Sequence, residues 1–166
     1  MFEIGSFVVY GNTGICKIEE ITTLDMPGMD NGKMYYVMTA IYGNCSKCFV
    51  PVDNTKVILR EVINKDRTEE IIDNINNIPN ISIDNDKLRE EKYKELMKQC
   101  DCQSFITIIQ TVIARKKERL DQGKKLTATD ERYYRMAMQY LCSELAFVLG
   151  VSPIEIEERI NSKLQL

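Results

Sequence analysis

The hydrophobic period of this chain switches once, near residue 61, and that switch points to two successive modules of different architecture. From Ser6 to Arg60 the period is near 2, the spacing that puts alternate side chains on one face of a sheet. Ser6-Phe7-Val8-Val9-Tyr10 is a β-rich run that stops at the turn cluster Gly11-Asn12-Thr13-Gly14. Ile15-Cys16-Lys17-Ile18-Glu19 then alternates, and the stretch from Asp25 to Gly32, rich in Asp, Gly, Pro and Asn, breaks the pattern again. Lys33 to Ala40 and Cys48-Phe49-Val50 supply further strands, separated by Tyr42-Gly43-Asn44 and closed by Pro51. Four or five short strands without intervening helices predict a small antiparallel barrel.

After Glu61 the period is that of a helix. Thr68 is expected to cap a short helix carrying Ile71, Ile72 and Ile75, and Asn76-Asn77-Ile78-Pro79-Asn80 marks a boundary. A helix follows from about Asp86 to Lys98. Asp101 is expected to cap the next, whose Phe105, Ile108, Ile109, Val112 and Ile113 form one apolar stripe, with Gly123 as its stop. Thr127-Ala128-Thr129-Asp130 opens a long helix with Ala137, Tyr140, Leu141, Leu145 and Val148 on one side. Gly150 ends it, and Ser152-Pro153-Ile154-Glu155 opens the last. The expected fold class is α+β: an antiparallel β-barrel over residues 1–63, a short helix and linker over 64–80, and an all-α domain over 81–166.

The chain has no histidine, so Ser-His-Asp and Cys-His nucleophile systems and histidine metal ligands are not available to it. Most hydrolase chemistry is thereby disfavoured, while carboxylate-only or lysine-based catalysis stays open on composition alone. The longest apolar stretch, Leu145 to Leu149, is far below the roughly 20 residues of a membrane helix. Met1-Phe2-Glu3-Ile4-Gly5 lacks a basic leader region, so a cytoplasmic location with reduced cysteines is expected. Net charge is −3, yet Lys87 to Arg135 holds 13 Lys+Arg against 8 Asp+Glu, an excess of +5. That excess is small for a stand-alone DNA binder, so DNA contact would need a second tether.

The order of elements and several words within it resemble the CarD family of bacterial transcription regulators. The first module is similar to the domain that CarD proteins share with transcription-repair coupling factor. The similarity lies in the run from Phe2 to Tyr10, Thr13-Gly14-Ile15-Cys16-Lys17-Ile18, Tyr35-Tyr36-Val37-Met38 and Val50-Pro51-Val52-Asp53-Asn54. The helices resemble the family in Gly123-Lys124-Lys125-Leu126, Asp130-Glu131-Arg132 and the run from Ser143 to Val151. The resemblance implies a Tudor-like barrel that docks on the RNA polymerase β subunit, and helices that touch promoter DNA near the upstream edge of the melted region. It implies no catalysis and no cofactor; the activity is a bias between closed and open promoter complexes. By the same resemblance, Lys47, Cys48, Phe49, Val50 and Pro51 lie where a polymerase strand adds to the sheet edge. Lys87, Leu88, Arg89, Lys92, Arg115, Lys116, Arg119, Lys124 and Lys125 are the expected DNA-facing residues. A monomer is expected, with self-pairing through the barrel edge as the alternative.

One departure from the family is plain. Many members carry a tryptophan near the first basic helix of the second domain, as a minor-groove wedge, and Ile81 to Arg89 has no aromatic residue. Leu88 and Ile83 are the apolar side chains at hand, since aliphatic wedges also exist. An adaptor that binds polymerase without wedging DNA is the alternative. Bland readings stand beside the sharp ones: the lysines of the first basic helix also suit a solvated face with Glu90–Lys94 at i, i+4, and Arg115 to Arg119 suit any helix C-terminus. Cys45-Ser46-Lys47-Cys48 and Cys100-Asp101-Cys102 belong to different domains by the resemblance, which disfavours a shared zinc; they read as small apolar fillers, with Cys45/Cys48 as the alternative thiol switch. Tyr35, Tyr36, Tyr133, Tyr134 and Tyr140 read as core rather than as base-stacking residues.

Overall fold

The computed structural model describes residues 1–23, 32–42 and 47–165, which divide into two compact units, Met1–Val62 and Ile63–Leu166. All but Gly32 of the predicted breaker from Asp25 to Gly32, and residues 43–46, Cys45 among them, lie outside the described residues. The first unit is a five-stranded antiparallel sheet of β1 (Phe7–Tyr10), β2 (Gly14–Thr23), β3 (Met34–Ala40), β4 (Cys48–Pro51) and β5 (Leu59–Glu61). Its strand order is β4-β3-β2-β1-β5. The described ladders thus leave β4 and β5 as two edges and do not close a barrel, because strands of four and three residues are each paired on one side only.

The alternation legible in the sequence produces the core of this unit. Val8, Cys16, Ile18, Tyr36, Met38 and Val50 are buried together, with Phe2, Tyr10 and Leu59 packed against them. The register of β2 against β3 slips between Ile18 and Glu20; such a bulge adds a residue on one strand and bends it. Gly11 sits at φ 41°, where a side chain is strained, and a Cβ there would meet Val57 Cγ1 at 2.4 Å, so any other residue would also have to displace the Val57 side chain.

The second unit comprises α1 (Lys65–Asp73), α2 (Asp86–Gln99), α3 (Cys102–Asp121), α4 (Ala128–Leu149) and α5 (Pro153–Leu164). The cap of α1 is Asn64, whose side chain accepts from Arg67 N–H; Thr68, expected there, lies one turn inside and donates to Asn64 O at 2.9 Å. Asn is as good a cap as Thr and starts the helix four residues earlier. Asn85, Asp101, Thr127 and Ser152 cap the other four helices. The α3 stripe Phe105, Ile108, Ile109 and Val112 is buried against α4, whose Ala137, Leu141 and Leu145 are buried in turn. No single helix is long and apolar enough to cross a membrane among the described residues.

At α5 the sequence signal is reciprocal in three dimensions. Ser152 Oγ accepts from Glu155 N–H at 3.2 Å, and the Glu155 carboxylate accepts from Ser152 N–H at 2.8 Å. Those contacts hold the Glu155 carboxyl below its ordinary pKa. Ser152→Ala is expected to destabilise the chain by about 1 kcal/mol, read as a lower urea midpoint at unchanged slope.

Candidate functional site

Two surfaces emerge, one in each unit. The first is the outer edge of β4, which no other described strand pairs. Its ladder pairs Cys48 with Met38, Phe49 with Val37, Val50 with Tyr36 and Pro51 with Tyr35. One step further along, Val52 N–H donates to Met34 O at 2.9 Å, so even-numbered positions direct their amides to β3. Odd-numbered positions direct theirs outward. Pro51, which has no N–H, occupies one of them, and Phe49 presents its N–H and C=O to the open side of the sheet. The Phe49 ring is 38% exposed while Val50 beside it is buried, and Lys47 is exposed just before the strand. Cys48 is half-buried, and its proposed thiol partner Cys45 is outside the described residues.

The second surface is built by a buried ion cluster. Asp130, in the first turn of α4, is 0% exposed and accepts from Arg89 Nε at 3.1 Å, Arg115 Nε at 3.3 Å, Tyr93 Oη at 3.0 Å and Thr127 Oγ1 at 2.8 Å. Burial alone would raise its carboxyl, but the Thr127 hydroxyl and the two guanidinium groups outweigh that and hold it below the ordinary value. Arg89 also pairs with Asp86 and donates to Ile83 O at 3.0 Å, which fastens the segment before α2. Burial and the Asp130 carboxylate push the Tyr93 phenol well above its usual range.

This cluster takes up Arg89 and Arg115, both expected among the DNA-facing residues. Arg89 is 1% exposed and the Arg115 side chain 14% exposed; both guanidinium groups face Asp130 instead of solvent. The reason is the cost of an unpaired buried carboxylate, which two arginines on neighbouring helices remove. They act as positioning residues. Through them the start of α2 and the segment leading into α4 meet at one end of the unit. Lys87 and Leu88 stand there on the first turn of α2, and Lys124 and Lys125 precede Thr127 by two or three residues. All four are exposed, Leu88 at 56%, whereas Ile83 is only partly accessible.

The remaining expected cations fall elsewhere. Arg119 Nε donates to Lys125 O at 2.6 Å and so braces the turn that carries the two lysines. Lys92 pairs with Glu95 at 2.8 Å on the α2 surface, and Lys116 lines a cavity against α4 and α5. Glu90 binds both Lys94 and Arg132, at 3.1 and 3.0 Å, which makes part of the α2 charge a structural pair. Tyr35, Tyr36, Tyr93 and Tyr133 are buried, Tyr133 against Tyr93 at a ring separation of 5.1 Å. No group of three or more His, Cys, Asp or Glu is arranged to hold a metal among the described residues. Asp130 as a hub was not legible from the sequence beyond its capping position, because its partners lie 15, 37 and 41 residues away.

Residues 2–63 match the family profile described as the CarD-like/TRCF RID domain, and residues 70–161 match that described as the CarD C-terminal domain. The two matches take in the edge strand and the helical end with its buried cluster. A search of the curated proteins finds no match. A sheet unit of the polymerase-interacting type followed by this helical unit defines a transcription regulator that interacts with RNA polymerase. The chain belongs to the CarD family.

Proposed function

We propose that the chain docks on the β subunit of RNA polymerase by strand addition at the outer edge of β4 and, once docked, contacts promoter DNA with the exposed end of its helical unit. The reading treats residues 1–63, a Tudor-like module with its β4 edge open, as the polymerase-binding domain, 64–80 as a short helix and linker, and 81–166 as the DNA-contacting domain. The observation that carries it is the outward-facing Phe49 backbone at a short edge that no other described strand pairs, flanked by Lys47, Cys48, Val50 and Pro51. Main-chain hydrogen bonds supply affinity in this mode, and the neighbouring side chains supply selectivity.

In the helical unit Lys87, Lys124 and Lys125 meet phosphates while Leu88 is the exposed apolar residue offered in place of the tryptophan that many family members carry. Leu88 has a smaller face than an indole, so its wedge is weaker. The outcome is a non-enzymatic, cytoplasmic regulator, monomeric when free, that shifts the stability of the open complex. Docking raises the local concentration of a weakly basic surface at the DNA, which is why a modest charge excess suffices.

The test is the salt dependence of binding to forked promoter DNA with polymerase present. Each phosphate contact contributes about 0.9 to the slope of log K against log salt for duplex DNA. Lys124→Ala with Lys125→Ala is expected to lower that slope by about 2 units. A salt response identical for the wild type and this double variant favours the adaptor that binds polymerase alone.

A further inference from the structure

The buried ion cluster has an outer side as well as an inner one. On the inner side Asp130, 0% exposed, sets one negative charge against the two guanidinium groups of Arg89 and Arg115, and the Nε of each is committed to it. One positive charge is left over. Asp86 meets it from the outer side, where its Oδ1 pairs with Arg89 Nη2 and lies 3.8 Å from Arg115 Nη2. The charge at this place is that of the arginines and not of the helix end, because Asn85 accepts from the Lys87 and Leu88 amides at 3.0 Å each.

The two carboxylates differ in access. Asp130 is closed off from solvent, whereas the Asp86 side chain is 72% exposed. A buried ion pair is costly to break, and an exposed one contributes little, so an anion from solvent competes with Asp86 and leaves Asp130 in place. Asp86 is also an incomplete partner, since 3.8 Å from Arg115 is beyond hydrogen-bond length. A phosphate presents several oxygens at once, and the planar fork of a guanidinium matches them better than it matches one oxygen of a short side chain.

We propose that Asp86 holds the place of a phosphate: Arg89 and Arg115 form a seat for a phosphate-type oxyanion, which takes their outer side when the Asp86 side chain turns into solvent. The exchange is non-covalent. Under the reading given above, the seat adds one phosphodiester contact to those of Lys87, Lys124 and Lys125, and it rests on that reading only for the source of the phosphate.

Inorganic phosphate, titrated into the full ¹⁵N-labelled chain against chloride at constant ionic strength, tests the seat without polymerase or DNA. The signals to follow are the Nε–Hε groups of Arg89 and Arg115. In Asp86→Asn, a change at an exposed position, both are expected to shift saturably, with phosphate bound at least about tenfold tighter than by the wild type. Asp84→Asn removes the same charge from an exposed neighbour whose carboxylate pairs with neither guanidinium among the described residues, and is expected to change phosphate affinity less than about twofold. Forked promoter DNA with polymerase then identifies the source. A phosphodiester in the seat steepens the slope of log K against log salt by about 0.9 in Asp86→Asn and not in Asp84→Asn, whereas an unchanged slope assigns the seat to free phosphate. A wild-type chain that fails to bind that DNA counts against the docking reading and leaves inorganic phosphate to decide the seat. No saturable shift in Asp86→Asn, shifts that spare the two arginines, or an equal gain in Asp84→Asn would overturn the proposal.

Discussion

Asp130→Ala is expected to lower the stability of the helical unit by about 3–5 kcal/mol, the range found when one partner of a buried ion pair is removed. The variant leaves the Arg89 guanidinium inside the protein with only Asp86 to balance it, and strips Tyr93 of its acceptor. Urea unfolding would show a lower midpoint at unchanged slope. Asp130→Asn keeps the side-chain volume and one acceptor oxygen, for Tyr93 or for Thr127, but turns the other into a donor and removes the charge, so a smaller loss is expected. The pH response follows from the same carboxyl. Its pKa in the folded chain is below the unfolded value near 3.9, so its contribution is present above about pH 4 and is lost as pH falls through the folded value. That acid-side loss is expected to shrink in Asp130→Asn. If Asp130→Ala unfolds at the wild-type midpoint, the cluster does not hold this end together.

Phe49→Pro is expected to weaken binding to the isolated β-subunit lobe by at least about tenfold while leaving the fold nearly as stable as before. The amide of Phe49 points away from β3, so proline there removes no ladder bond. What it removes is a donor at the open edge, and its ring obstructs an added strand. Phe49→Ala keeps that backbone donor and loses only the ring, so its effect is expected to be smaller. The pair of variants therefore separates backbone recognition from side-chain recognition. Binding of Phe49→Pro at wild-type strength would show that the polymerase uses another surface.

Elements whose cause is local were legible in the sequence. Ser152-Pro153-Ile154-Glu155 contains every atom of its own cap, and the α3 stripe needs only helical spacing. Boundaries shifted where two caps competed, as Asn64 and Thr68 did at α1. Long-range features were hidden. Arg89 and Lys87 look equally suited to phosphate in a string of letters, yet one is buried on Asp130, across 41 residues of sequence, and the other is exposed. Likewise a period near 2 specifies strands and faces but not closure, and the described ladders end in two free edges. The cavity that Lys116 lines had no sequence signal, because it arises where Val112, Met138 and Asn161 from three separate helices come together.

The most direct measurement is the lifetime of the open promoter complex with polymerase alone, with the wild-type chain and with Phe49→Pro. A chain that docks at the β4 edge and touches DNA is expected to change that lifetime several-fold when saturating, and Phe49→Pro at the same concentration to leave it as polymerase alone has it. An unchanged lifetime with saturating wild-type chain, or an equal change with Phe49→Pro, would contradict docking through this edge as the basis of regulation.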